Sequence, residues 1–422
     1  MDSMSWDVVV VGGGPGGSTV GGLLARRGYR VLLIEREKFP RYHIGESLVP
    51  GIMPVLKELG LYEKALQQGF TRKYGVTLLW GRHREPWSVY FGEAGPFAYT
   101  FQVCRSEFDS MLLKHARALG ATVLEETKVS EFLFEDGRCV GVRYAASGGE
   151  PPREARARFV IDASGQSHLL GRALDLIEWD EDLKNLAVWT YFSGARLYEG
   201  RDAGNILVEN LPDGWLWLIP LHDGTQSVGW VTPHENARAH EGRLGQLLLD
   251  RIEQSVEARR MLAPAQRVAA FHSMRDWSYR CRRFHGPGFL LVGDAAGFVD
   301  PLFSTGVFLA MNGGSLAATV LDHLLRHPKD EERMRQRYEA IYRQFLDVVF
   351  SFVHYFYDAS KDKEVYWAHA QELVDPLRQM SARQDFIHLI SGLGGLHTLK
   401  ELSEPLPAAR PEPRRRAASR RR

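Results

Sequence analysis

Cysteine is scarce in this chain: three in 422 residues, at Cys104, Cys139 and Cys281. An odd number so widely scattered forms neither a disulfide framework nor a metal-ligand spacing. Long apolar runs are missing too, and no stretch reaches the roughly 20 residues needed to cross a bilayer. Charge of one sign is missing: 53 Lys and Arg against 52 Asp and Glu leave +1, so nothing global draws nucleic acid or another polyanion. Met1 to Trp6 shows no basic region followed by an apolar stretch, so no secretion signal is expected. These absences predict a cytoplasmic chain without a metal, membrane or nucleic-acid partner. Hydrophobic residues at 44% and charged residues at 25% are ordinary for a globular protein with a sizeable core.

Basic charge gathers in one place, residues 401–422, which are rich in Pro, Ala and Arg and lack apolar periodicity. A disordered tail is expected there. Arg414 to Arg416 and Arg420 to Arg422 would either meet an acidic partner or simply be solvated.

The chain opens with an apolar run, Asp7 to Val11, then glycines, a helical pattern from Pro15 to Arg27, and a second apolar run from Tyr29 to Glu35. Strand, glycine turn, helix and strand begin a doubly wound α/β fold. Helical patterns follow at Val49 to Gln68 and Ser106 to Ala118, and strand-like segments at Gly75 to Trp80, Thr122 to Phe134, Val140 to Tyr144 and Phe159 to Asp162. Leu186 to Thr232 alternates apolar and polar residues, as an antiparallel sheet does. A strand at Phe289 to Val292, a helix from Gly306 to Arg326 and an aromatic-rich helical stretch from Glu331 to Ile390 complete the pattern. The expected fold class is α/β. A Rossmann-type dinucleotide-binding domain spans 1–325, with 51–100 and 171–285 forming an inserted antiparallel sheet over the site; a helical C-terminal region spans 326–400.

Gly12-Gly13-Gly14-Pro15-Gly16-Gly17 fits G-x-G-x-x-G through Gly12, Gly14 and Gly17. The first glycine allows the tight turn, the second admits a pyrophosphate, and the third lets helix and strand pack closely. Phosphates then meet free N–H groups at the helix start. Glu35 stands where an acid binds a ribose 2′-hydroxyl, with Arg36 beside it. The motif does not separate FAD from NAD. Cys104-Arg105-Ser106-Glu107-Phe108-Asp109, Ile161-Asp162-Ala163-Ser164-Gly165 and Gly293-Asp294-Ala295-Ala296-Gly297 do. Their order resembles the FAD family of aromatic hydroxylases, geranylgeranyl reductases and flavin-dependent halogenases, over most of the chain up to about residue 325. The resemblance implies that Arg105 contacts the cofactor and that Asp294 holds its ribityl chain. Asp294 would serve equally as a helix N-cap.

Three features resemble halogenases in particular. Trp215-Leu216-Trp217-Leu218-Ile219-Pro220 fits W-x-W-x-I-P. On a strand Trp215, Trp217 and Ile219 share a face, as an aromatic core strand or, by resemblance, as the wall between flavin and substrate. Lys73 follows Gly45-Glu46-Ser47 as the halogenase lysine does; otherwise a lysine before a strand is normally solvated. The resemblance implies that its ammonium binds hypohalous acid, or forms a haloamine, and delivers electrophilic halogen. Glu46 and Ser47 lie in a segment like the strap that touches both the flavin and halide sites. Phe298, Pro301, Ser304 and Gly306 match F-x-x-P-x-x-S-x-G, and the turn's N–H groups suit an anion. By resemblance that anion is chloride or bromide at Thr305 and Gly306, with Gly306 also beside the flavin.

Halogenases of free tryptophan carry a Glu just before the S-T-G turn, where this chain has Phe303. Such a carboxylate supports attack on an indole benzo carbon. A phenol or pyrrole supplies its own electron push, so Phe303 argues against free tryptophan and for a phenolic or pyrrolic ring, and relatives without the Glu often use carrier-tethered substrates. The run Phe350-Ser351-Phe352-Val353-His354-Tyr355-Phe356-Tyr357 would cover a substrate or form helix core. No second dinucleotide motif is present; Gly392-Leu393-Gly394-Gly395 lacks the spacing. FAD is therefore expected to arrive as FADH₂ from a separate NAD(P)H flavin reductase and to react with O₂. An aromatic monooxygenase, a geranylgeranyl-type reductase and a non-enzymatic flavin-binding module remain the alternatives.

Overall fold

The computed structural model describes residues 6–82, 85–238, 242–374 and 380–392. The proposed basic tail at 401–422 lies outside the described residues.

A parallel sheet runs in the order 289–291, 153–162, 6–11, 31–34, 122–124. Val8 to Val11 and Val31 to Ile34 are buried on both faces, which is why they read as unbroken apolar runs. The chain winds outward from Trp6–Val11 through 31–34 and 122–124, then returns on the other side through 153–162. That reversal leaves a crevice at the carboxyl ends of the strands, where ligands bind in such sheets. The helix Pro15–Arg26 covers this edge, buried from Pro15 to Ala25. Its glycines each cost about 1 kcal/mol against alanine, but they allow close packing: a Cβ at Gly21 would lie 3.2 Å from Leu33 and one at Gly22 3.3 Å from Leu119.

The second sheet has the order 297–298, 272–281, 177–193, 225–233, 214–220, 206–211, 75–79, 87–90; its neighbours pair antiparallel except 206–211 and 75–79, which run parallel, so the expected antiparallel sheet is mixed there. Of the stretch 51–100, residues 75–79 and 87–90 join this sheet. Met53–Leu59 and Tyr62–Gln67 are helices, and Thr71–Lys73 pairs with Thr100–Gln102 in a separate ribbon. The helical pattern of Val49 to Gln68 is thus interrupted, at Gly60 in the left-handed region (φ 76°). Thr122 to Phe134 divides as well. Thr122–Leu124 belongs to the parallel sheet, while Thr127–Glu135 turns back at Asp136-Gly137 to pair with Arg138–Ala146. Positive φ at Asp136 and Gly137 is the two-residue hairpin turn that Asp-Gly favours.

The C-terminal region is helical at Glu331–Phe356, Lys363–Leu373 and Ala382–Ile390. The last helix starts with a capping box between Ser381 and Gln384. Among the described residues no helix is long and apolar enough to cross a membrane.

Candidate active site

The crevice opens into a cavity of about 470 Å³ between the two large sheets. On one side are Gly12, Gly14, Gly16, Glu35 and Arg36; on the other are Trp215, Trp217 and Ile219. Gly45 to Ser47, Arg105, Asp294, Phe298, Ser304 and Gly306 line the space between.

The glycine turn has little tolerance. A Cβ at Gly12 (φ 105°) would sit 2.3 Å from Ala163 O, and one at Gly17 would sit 1.9 Å from Gly12 O. At Gly14 the nearest atom would be Arg41 Nη2 at 3.7 Å, so its missing side chain leaves room on the cavity side. Gly14 caps the helix without a side-chain acceptor, so the first N–H groups stay available to an anion. Glu35 is buried; Oε2 accepts from Gly13 N at 2.6 Å and Oε1 from Glu37 N at 2.8 Å. This ties the acid to the glycine turn and leaves acceptor capacity for a hydroxyl. Arg36 reaches over the cavity to Ser167 Oγ at 3.0 Å.

Arg105 begins the helix Arg105–Ala118 and is clamped by Asp109 at 2.8 and 2.9 Å. Its Nη1 donates to Ile44 O at 2.8 Å and Gly45 O at 3.2 Å, holding the strap against the cavity. Arg41 adds a second cation to Asp109 at 3.0 Å. Burial opposes ionisation of Asp109, but the two guanidiniums hold its pKa below the usual carboxylate value. Asp294 lies inside the short 3-10 turn Gly293–Ala295, whose N-cap is Val292; burial pushes its pKa up to about 6, with Arg105 pulling the other way. Glu46 behaves similarly: burial raises its pKa to about 7, while the nearby Ser227 and Tyr191 hydroxyls and Arg105 lower it and Asp223 raises it.

A helix N-terminus without a side-chain cap, a glycine cradle with room at Gly14 and an acid at the second strand suit a dinucleotide. The family model described as FAD dependent oxidoreductase matches residues 7–178, and that described as Tryptophan halogenase matches residues 93–391. The chain belongs to the flavin-dependent halogenases. Tryptophan 2-halogenase of Chondromyces crocatus is 35% identical over 401 residues, covering 92% of this chain and 76% of that protein. The 1H-pyrrole-2-carbonyl-[peptidyl-carrier protein] chlorinase of Pseudomonas fluorescens is 31% identical over 390 residues, covering 85% and 84%. Among solved structures, the myxobacterial chondrochloren halogenase CndH superposes with a TM-score of 0.81 at 34% identity, covering 92% of this chain and 97% of that one.

In this halogenase Trp215, Trp217 and Ile219 face the cavity, while Leu216 and Leu218 enter the second core behind the sheet. Trp217 lies across Gly229, where a Cβ would approach its ring to 2.1 Å, and donates to Ser227 Oγ at 3.2 Å. Ser304 takes φ 59°, which turns the chain into the helix Gly306–Arg326. Thr305 is buried beside it, its hydroxyl oxygen unpartnered.

Lys73 is not solvated. It is 1% exposed, and Nζ donates to Ser47 Oγ at 2.8 Å and to Leu48 O at 3.0 Å. Burial alone lowers its pKa from 10.5 to about 7. Neither Lys73 nor Phe303 lines the cofactor cavity; Lys73 touches it through Ser47. Phe303 packs on Phe352 and Phe356 at 5.1 and 4.9 Å between centroids, so Phe350 to Phe356 is largely helix core.

Two groups escaped the sequence reading. Asp300 Oδ2 accepts from Tyr357 Oη at 2.6 Å and Asn185 Nδ2 at 3.0 Å, and Tyr357 Oη accepts from Trp215 Nε1 at 3.0 Å. Tyr191 donates to Glu46 Oε1 at 2.7 Å and meets Tyr42 Oη at 2.8 Å. No local spacing links these residues. Cys104, isolated in sequence, has Sγ 3.8 Å from His222 Nδ1 and 3.7 Å from Asp223 Oδ2.

Proposed function

We propose that this halogenase places chlorine or bromine on a phenolic or pyrrolic ring, free or presented on a carrier protein. The observation that carries the reading is Lys73, an amine buried among uncharged partners and joined by Ser47 to the strap beside the cavity. Reduced FAD, delivered by a separate NAD(P)H flavin reductase, supplies with O₂ the oxidising power that turns halide into hypohalous acid. Gly12, Gly14, Gly17, Glu35, Arg36, Arg105 and Asp294 bind the cofactor; Glu46, Ser47 and Gly306 complete that site.

Thr305 and Gly306 hold the halide at the helix start, where the dipole favours an anion. Trp215 and Trp217 stand between cofactor and substrate, so the ring meets hypohalous acid rather than the flavin. With a pKa near 7, Lys73 offers both an ammonium that hydrogen-bonds hypohalous acid and a neutral amine that accepts halogen. The arenium proton leaves without a carboxylate at position 303. Phe303 in its aromatic cluster supports a ring that activates itself. So does the relative named for a pyrrole on a peptidyl carrier; the relative named Tryptophan 2-halogenase points instead to tryptophan, which belongs in the substrate panel.

Mass spectrometry tests the reading in an assay with FAD, NADH, a flavin reductase, bromide and a panel of free and carrier-tethered phenols and pyrroles. A bromine isotope pair that needs the reductase supports it. A gain of one oxygen independent of halide would assign a hydroxylase instead.

A further inference from the structure

Making hypohalous acid consumes a proton. Halide, O₂, the two hydrogens of the reduced cofactor and one proton give hypohalous acid, water and oxidised cofactor; without that proton neither hydrogen nor charge balances.

Glu46 lines the cavity at 3% exposure. Its Oε2 is buried with no hydrogen-bond partner. Its Oε1 accepts from Tyr191 Oη at 2.7 Å, and that hydroxyl lies 2.8 Å from Tyr42 Oη. Tyr42 is 48% exposed, so the chain of hydroxyls starts in solvent and ends at an unpartnered carboxyl oxygen closed in behind the cavity lining, which a turn of the carboxyl would bring to the cavity. Trp189 Nε1 donates to Tyr42 Oη, which leaves the Tyr42 proton to point at Tyr191. His272 stacks on Tyr42 with centroids 4.9 Å apart and holds the ring in place.

The charged neighbours do not short-circuit this line. Arg105 is directed at Asp109 and the Ile44 and Gly45 carbonyls. Asp223 accepts from Thr225 and from the Cys104 thiol. The Ser227 hydroxyl accepts from Trp217 and turns its own proton towards the Glu46 carboxyl, without a link to solvent through Trp217.

We propose that Glu46, Tyr191 and Tyr42 form a relay that brings the consumed proton from solvent to the O₂-derived oxygen leaving as water. Glu46 gives the proton on Oε2 to that oxygen. In the same step Oε1 takes the Tyr191 proton, Tyr191 takes the Tyr42 proton, and Tyr42 takes one from a solvent water, whose hydroxide is neutralised by the consumed proton in bulk solvent. Each group ends neutral, as the burial of Glu46 and the half-buried position of Tyr191 favour. The relay rests on the halogenase reading for what consumes its proton.

Glu46→Gln, Tyr191→Phe and Tyr42→Phe test it in two ways. In cofactor-free protein the Glu46 carboxyl is titrated by ¹³C NMR. Tyr191→Phe removes a donor to the ionised form and moves the titration to higher pH; Tyr42→Phe moves it the same way by less. In the second arm reduced enzyme is mixed with O₂ and bromide, and hypobromous acid is counted per O₂ consumed. The yield falls about 100-fold in Glu46→Gln and about 10-fold in the phenylalanine variants. It falls more at pH 8 than at pH 6, and added imidazole rescues Tyr42→Phe. A merely structural role would weaken FAD binding instead, without rescue. Unchanged titration and unchanged yield in both phenylalanine variants overturn the relay. Wild-type protein that makes no hypobromous acid refutes the halogenase reading, while the NMR arm still decides whether the three groups are coupled.

Discussion

Lys73→Met separates the energetic cost of the buried amine from its chemistry. The side chain is 1% exposed, with Ser47 Oγ, Leu48 O and the Phe91 ring around Nζ and no carboxylate against it. Burial takes its pKa from 10.5 to about 7, equivalent to about 5 kcal/mol of preference for the neutral form. In the unfolded chain the amine keeps its proton up to pH 10.5; in the folded chain it releases it near pH 7. Between those values unfolding takes up a proton, so stability rises with pH across the window and is lost as pH falls towards 7. Methionine has similar length and no charge, so the variant lacks this slope.

Urea unfolding at pH 7 and pH 10 reads the effect. The variant should exceed wild type at pH 7, less the two lost hydrogen bonds at about 1 kcal/mol each. The gap should narrow by about 3 kcal/mol by pH 10. Those hydrogen bonds shift both pH values alike, so the change in the gap isolates the buried charge. Parallel pH dependences would refute the burial argument. The variant should also bind FAD and make no halogenated product; product at the wild-type rate would refute delivery through Lys73.

Gly14→Val should leave the fold intact, because the nearest atom to an added Cβ is 3.7 Å away. It should weaken FAD binding at least about 10-fold by filling the phosphate cradle, as read by flavin fluorescence. Gly229→Ala puts a Cβ 2.1 Å from the Trp217 ring; overpacking of this kind costs about 1–3 kcal/mol, and calorimetry with tryptophan fluorescence should show the loss together with a displaced wall. Tyr357→Phe leaves Trp215 Nε1 without its acceptor and Asp300 without its shortest donor. A destabilisation of about 1–3 kcal/mol is expected from denaturant unfolding, with FAD affinity largely kept.

What could be read from the chain is what local sequence determines. The glycine turn, the helix after it and Glu35 lie within one strand-helix-strand unit, and Gly13 N meets Glu35 across only 22 positions. The W-x-W-x-I-P strand shows its two faces through a period of two. Burial of Lys73 was not readable, because it depends on the ribbon with Thr100–Gln102 and on the Phe91 ring, and no motif or periodicity links either of them to Lys73. Tyr191 and Glu46 are 145 positions apart and Asn185 and Asp300 are 115, so no window contains either pair. The break between 122–124 and 127–135 was hidden because the chain turns at Glu126 with φ 53°, a conformation that a sequence reader expects of glycine or asparagine.

Asp300 explains why the turn at Ser304 and the Trp215–Ile219 strand belong to one device. Its Oδ1 accepts from Leu302 N at 3.1 Å and shapes the turn before Ser304, while Oδ2 collects Tyr357 and Asn185. Tyr357 closes the C-terminal helix Glu331–Phe356 and receives Trp215 Nε1; Asn185 sits in the covering sheet. One carboxylate therefore joins the Ser304 turn, the tryptophan strand, the sheet and the last long helix. A buried carboxylate is costly unless every oxygen is engaged, and here both are. Displacing the turn would strand that group as well as move Trp215. The spacing between the Ser304 turn and the tryptophan strand is thus set by a polar junction behind the cavity, while Phe303, beside that turn, packs on Phe352 and Phe356 of the long helix.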